Sequence, residues 1–182
     1  MKKQIFITAL LVFFLISSNF AQEDAIKDIR KKYQEIVKGE GYTTEEHFLE
    51  CYTVSGVSIL VKKKDGEVRL IEFASEGSRS EWCNQYFYWK DKVFFVYLKD
   101  CYTDTDDEGI AVNECTEHRH YYKNKACIKS LFKEWSKVMG EEDKPLPKNT
   151  IIDDYKKANS EFDKANKYYE WSKTDSWKKL CE

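Results

Sequence analysis

From Phe48 to about residue 132 the chain is a succession of short runs in which apolar and polar residues alternate. The runs are 48–54, 57–63, 67–74, 80–89, 92–99, 114–122 and 125–132. Successive side chains of a strand point to opposite faces, so a period of two describes strands with one face turned to a core. Lys64-Asp65-Gly66 marks a hairpin, because Asp and Gly tolerate the positive φ that a two-residue turn requires. Glu76-Gly77-Ser78 is a second turn, and Lys90-Asp91 and Lys123-Asn124 are weaker two-residue turns of the same kind. The expectation is a meander of about six to seven antiparallel strands over 48–132.

Two of the hairpins look alike. Tyr88-Trp89-Lys90-Asp91-Lys92-Val93 aligns with Tyr121-Tyr122-Lys123-Asn124-Lys125-Ala126 at an offset of 33. An offset of 34 aligns almost as well. The two choices differ by one residue, and one residue reverses which side chains face the core. The sequence leaves the facing open.

Helical patterns flank the strands. In Asp24 to Lys38, the residues Ile26, Ile29, Tyr33 and Ile36 recur at spacings of three and four, and Gly39 and Gly41 follow. Glu134 to Val138 reads as a helical turn, and 140–148 as a polar connector holding both prolines, Pro145 and Pro147. A long helix is expected over 150–173. Thr150 would cap it, with Asp153 as its capping-box partner, and Ile151, Tyr155, Ala158, Phe162, Ala165 and Tyr169 would form the stripe packed on the sheet. Trp177 and Leu180 suggest a last short turn. The expected fold class is α+β: an antiparallel sheet packed by an N-terminal helix (22–41) and a long C-terminal helix, in one domain over 22–182.

The first 21 residues have the layout of a secretory signal peptide. Lys2 and Lys3 precede an almost unbroken apolar run from Ile5 to Ile16, and Ser17-Ser18-Asn19-Phe20-Ala21 ends on a small residue, placing cleavage near Ala21. The expected location is periplasmic or extracellular, with no transmembrane segment in the mature chain, since a span needs about 20 apolar residues. Loss of Lys2 and Lys3 takes the formal net charge from −2 to about −4. That is not the basic footprint of a nucleic-acid binder. Six cysteines follow the leader: Cys51, Cys83, Cys101, Cys115, Cys127 and Cys181. In an oxidising compartment an even count predicts disulfides, and six cysteines allow 15 pairings. Cys181 would tie the C-terminal tail to the body.

Three groups of residues are candidates for chemistry or binding. Asp104-Thr105-Asp106-Asp107-Glu108-Gly109 places oxygen ligands at alternate positions (Asp104, Asp106, Glu108) before a glycine, as calcium loops do, but Cys115 stands where the closing Glu is required. His118 and His120 share one face of a predicted strand, with Glu114 on the same face, and could hold zinc or copper or serve in acid–base chemistry. An aromatic ladder of Trp82, Tyr86 and Tyr88, with Trp89 on the opposite parity, would be a binding surface if exposed and core if the C-terminal helix covers it. No Walker loop, dinucleotide fingerprint or nucleophile elbow is present, and no cofactor is expected.

Asp28-Ile29-Arg30-Lys31-Lys32-Tyr33, Gln85 to Phe95 and Glu117-His118-Arg119-His120-Tyr121-Tyr122-Lys123-Asn124 resemble a group of small uncharacterised exported bacterial proteins. These carry an N-terminal I-R-x-x-Y helix, hairpins of the form Y-Y-F-x-N-G-K-L, and a closing helix rich in Glu and Lys. The resemblance implies this fold and an exported location, and no reaction. The chain departs from the pattern in lacking the hairpin glycine and in its many cysteines. The leading expectation is a non-enzymatic exported domain that binds an unknown protein, peptide or glycan partner or associates with the envelope. The alternatives are a metal-assisted enzyme built on the Glu114–His120 strand and an inhibitor or immunity-type protein.

Overall fold

A computed structural model describes residues 21–51, 54–77, 79–105, 109–138, 145–152 and 155–181. The expected leader lies outside the described residues except for Ala21. The chain divides into two compact units, 1–38 and 39–182. In the first, residues 21–38 form helix α1, whose buried side chains are Ile26, Ile29 and Ile36, spaced as the heptad-like pattern requires. Lys32 and Asp28 pair at 2.6 Å one turn apart on its polar side. Among the described residues no helix is long and apolar enough to cross a membrane.

The second unit is one antiparallel sheet in which every strand lies beside its sequence neighbour. The strands are β1 (Thr43–Cys51), β2 (Val54–Lys64), β3 (Glu67–Glu76), β4 (Ser80–Trp89), β5 (Lys92–Thr105), β6 (Ala111–Lys123), β7 (Ala126–Val138) and β8 (Thr150–Ile151). Helix α2 (Tyr155–Thr174) and a 3₁₀ turn (Trp177–Leu180) follow. The meander expected from the sequence is present with eight strands rather than six or seven.

Three of its hairpins share one design. Their turn residues, Asp65-Gly66, Lys90-Asp91 and Asn124-Lys125, all have positive φ, between 48° and 77°. That is the left-handed pair that matches the twist of flanking strands. Each turn is followed by the same bulge, with Lys62/Lys63, Phe87/Tyr88 and Tyr121/Tyr122 marking the shift in register. The extra residues are Arg69, Phe94 and Ile128. The third turn therefore sits one residue later than Lys123-Asn124, because Lys123 still pairs with Ala126. This places Tyr88 and Tyr122 in equivalent positions and resolves the alignment in favour of the offset of 34.

The facing follows. Tyr86 and Tyr88 on β4, Val96 on β5, and His118, His120 and Tyr122 on β6 point to the side covered by α2. The Tyr122 hydroxyl donates to the Ala158 carbonyl at 2.5 Å and the Tyr88 hydroxyl to the Ala165 carbonyl at 2.7 Å. Those carbonyls are seven residues apart, two helical turns, so two equivalent hairpin tyrosines hold one face of the helix. Ala158 and Ala165 are themselves fully buried, and their small side chains allow the helix to come close. Val57, Ile59, Val61, Ile71 and Phe73 complete this layer with Tyr169 and Trp171. Asp175, at φ 49°, ends α2, and Trp177 then packs edge-on against Phe73 at 5.8 Å.

Three expectations are corrected. Glu134 to Val138 is strand, because β7 continues in register with β6 as far as Val138 opposite Val112. Thr150 does not cap α2. Thr150 and Ile151 form β8 against Phe132 and Leu131, and the Ile152 amide donates to the Ser130 carbonyl at 3.2 Å. Backbone groups on the edge of β7 are partners that a helix start at this point would forgo. The buried stripe of α2 accordingly begins at Ala158, while Ile151 and Tyr155 are exposed.

Lys125 carries its positive φ with a Cβ, at a cost that glycine avoids. Lys125→Gly, which creates an Asn-Gly turn, is expected to raise stability by about 0.5–1 kcal/mol. Urea unfolding of the two proteins measures this, and an unchanged or lower midpoint would contradict the turn geometry.

Candidate functional site

His118 and His120 lie side by side on β6, with ring centroids 6.0 Å apart and planes within 24°. His120 has no exposed surface, and its Nδ1 lies 2.7 Å from the Ser130 hydroxyl on β7. His118 Nε2 lies 2.8 Å from Lys157 Nζ of α2, so the ring nitrogen accepts from the ammonium. Glu114, expected beside them, is four residues along the strand, about 13 Å from His118. It accepts a hydrogen bond from Tyr102 instead. That bond is the main reason the Tyr102 hydroxyl is raised above its usual pKa. The pleat therefore puts Glu114 on the same face as the histidines and out of their reach. Among the described residues no group of three or more His, Cys, Asp or Glu side chains is gathered to hold a metal ion.

The acidic loop is described only at its ends. Asp106 and Glu108 lie outside the described residues, and Asp104 accepts the Thr105 amide at 2.8 Å.

The aromatic ladder is core. Tyr86 and Tyr88 are buried beneath α2, and Trp82 packs at the margin of the same cluster. Tyr86 and Tyr88 present no open surface, because α2 occupies the face to which they point. Trp89, on the other parity, is stacked by the Arg69 guanidinium at 4.5 Å.

Sequence reasoning missed Glu161. It sits on the buried side of α2, 5 % exposed, where periodicity allows an apolar residue. Its carboxylate accepts from the Tyr86 hydroxyl at 2.9 Å and from Lys164 Nζ at 2.7 Å. Burial, then the charge of Glu161, pushes the Tyr86 phenol far above its ordinary pKa of 10.0. Burial raises Tyr88 and Tyr122 in the same way. No sequence signal marks Glu161 except its offset of three from Ala158, one turn along the stripe.

The cysteines divide. Cys101 and Cys115 face each other across β5 and β6 and are bonded, with Cα atoms 4.1 Å apart. The cross-link closes a separation of 14 residues and contributes about 3 kcal/mol in the chain-entropy model. Cys181 is disulfide-bonded. Of Cys51 only the backbone is described. Cys83 and Cys127, two of the six disulfide candidates, are thiols. They stand on β4 and β7, strands about 14 Å apart, and on opposite faces of the sheet, beyond the roughly 7 Å that a disulfide can span. Burial, followed by the nearby Glu72 carboxylate, pushes the Cys83 thiol up to about 12, and burial raises Cys127. Neither is a ready nucleophile near neutral pH.

The face of the sheet away from α2 carries a second polar group that the sequence reading passed over. Glu117 on β6, side chain 5 % exposed, pairs with Arg119 two residues on and with Lys133 Nζ on β7 at 3.2 Å. The Tyr97 hydroxyl on β5 donates to the same carboxylate at 3.3 Å. Arg119 lies over the Tyr97 ring at 5.8 Å and Lys133 over the Trp135 ring at 4.9 Å. Beside them Lys99 pairs with Glu81 at 2.8 Å, and Gln85 with Glu72 at 2.5 Å. Glu117 and Arg119 alternate with His118 and His120 in sequence, so the missing signal was the facing that the hairpin alignment left open.

No protein family, curated protein or solved structure matches this chain.

Removing the Tyr86 hydroxyl leaves a buried carboxylate short of a donor. Tyr86→Phe is expected to lower stability by about 1–3 kcal/mol. Adding Glu161→Leu removes the group that needs the donor, so the double variant is expected to be more stable than the single one. Chemical denaturation of the set decides; simple addition of two losses would contradict the buried pair.

Proposed function

We propose that this protein is an exported, non-enzymatic binding domain that works through the sheet face turned away from α2. One contrast carries the reading. On the α2 side, the groups suited to chemistry are occupied in holding the helix. Tyr88 and Tyr122 bond its carbonyls, Tyr86 bonds Glu161, and His118 meets Lys157. On the other face Arg119 keeps 30 % of its side chain exposed, and Tyr97, Lys129 and Trp135 are half-buried. Partly exposed arginine and aromatic side chains on a rigid sheet are the composition of recognition surfaces. The cross-strand disulfide and the leader-like N-terminus support an oxidising, extracytoplasmic location.

The test is retention on the cell-envelope fraction of the producing cells. Protein recovered there is expected to begin at Gln22 by intact mass. Arg119→Glu and Trp135→Ala are expected to abolish retention, with His118→Ala retained as the parent is. Retention that depends on His118 and not on Arg119 or Trp135 would move the function to the α2 side. An uncleaved leader would overturn the export half of the reading.

A further inference from the structure

We infer that the tips of the two like hairpins, β4–β5 and β6–β7, dock on an anionic lipid bilayer; this goes beyond the sheet-face reading above and uses a different part of the surface. In a meander, alternate turns fall at the same end of the sheet, so Lys90-Asp91-Lys92 and Lys123-Asn124-Lys125 stand at one end. All six residues are exposed. Two strand spacings, about 10 Å, separate the tips. That is also about the Debye length in 0.1 M salt, so the four lysines act as one patch. The Asp91 carboxylate is turned toward α2, where it accepts from the Tyr169 hydroxyl.

The patch is kept at a conformational cost. Lys90 has φ 48° and Lys125 φ 68°, in the left-handed region that glycine and asparagine occupy more cheaply. Residues held there against their preference cluster at functional sites. The β2–β3 turn shows the cheaper solution, with Asp65-Gly66 at the same two positions. What lysine adds at a tip is charge. At the other end of the sheet stand Glu76, Glu81, Asp104 and Glu114, with Arg79 and Lys137 beside them. The whole chain carries a formal net charge of −2, so an anionic surface attracts the lysine end and repels the rest.

The chemistry favours a membrane over other polyanions. Lysine is a compact charge without the guanidinium fork that grips single phosphates or carboxylates. The tips are convex turns, with no groove to track a strand and no ring among their six residues on which bases could stack. Trp89, next to the first tip, is already stacked by Arg69 at 4.5 Å. An extended anionic plane needs neither groove nor ring, because each lysine near it gains from the surface potential. Four such charges give a weak, reversible association that washing removes, so envelope retention still reads the sheet face.

The probe is cosedimentation with vesicles of equal parts phosphatidylcholine and phosphatidylglycerol, using protein recovered from the producing cells. Pure phosphatidylcholine vesicles measure whatever binding an N-terminal apolar segment adds. Binding to the mixed vesicles above that level is expected, falling as salt rises. Lys90→Asn, Lys92→Gln, Lys123→Gln and Lys125→Gly are each expected to weaken it about fivefold. Lys90→Asn and Lys125→Gly relieve the left-handed cost, so their urea midpoints are expected at or above the parent's, and their loss of binding is then not a loss of fold. Arg79→Gln, an equal change of charge at the other end, is expected to bind as the parent does. Equal binding to both kinds of vesicle, an equal loss in Arg79→Gln, undiminished binding with all four lysines changed, or single-stranded DNA bound as tightly as the mixed vesicles would each overturn the proposal. If vesicle binding fails while envelope retention still depends on Arg119 and Trp135, the tips are wrong and the sheet face stands.

Discussion

Two phenol hydroxyls fix the relation between helix and sheet in this protein. Tyr88 and Tyr122 occupy equivalent places in two hairpins of the same design, and each donates to a carbonyl of α2 two turns from the other. A helix that lay one residue out of phase would carry Ala158 and Ala165 off the sheet and bring longer side chains into their place. The turn geometry upstream is therefore part of the constraint. The positive-φ turns and their bulges set which side chains of β4 and β6 face inward, and only that parity brings both tyrosines to the helix.

The same parity sorts the remaining polar groups. Tyr86, His118 and His120 face the α2 side and become internal fastenings. Cys83, Tyr97, Glu117 and Arg119 face the other way. Buried polar groups are expensive unless they are paired, and α2 supplies Glu161 and Lys157 where the sheet supplies a phenol and an imidazole. The opposite face meets its own demand within the sheet through Glu117, but with one cation more than that carboxylate can neutralise. The proposed binding role rests on this asymmetry between a face whose polar groups hold the helix and a face with charge left over.

Much of the fold was legible because its signals are local. Asp65-Gly66, the alternating runs, and the Ala158, Phe162, Ala165 and Tyr169 spacing each state their element within a few residues. The misreadings occurred where a long-range pairing outweighed a local pattern. Thr150 looks like a cap and instead extends the sheet, because the edge of β7 offers backbone partners. Glu134 to Val138 lacks clear alternation, yet β6 holds it as strand. The site was less legible for a related reason. Histidines and aromatics draw attention by type, but their meaning depended on facing, and a one-residue ambiguity in the hairpin alignment concealed it. Glu161 was invisible because a carboxylate on a buried stripe makes sense only once Tyr86 is opposite it.

The central claim is that the buried phenols of Tyr86, Tyr88 and Tyr122 hold α2 on the sheet. All three are raised above the ordinary tyrosine pKa of 10.0, chiefly by burial. Their folded values exceed their unfolded ones, so the stability they confer is complete below pH 10 and is lost as pH rises above it. The direct measurement is an alkaline titration of carbon-13-labelled tyrosine, with the ring Cζ shift of each residue followed alongside far-ultraviolet circular dichroism. The account predicts that these three rings stay protonated past pH 10 and ionise only in the cooperative step that removes the helical signal. Ionisation near pH 10 with the helix intact would contradict it.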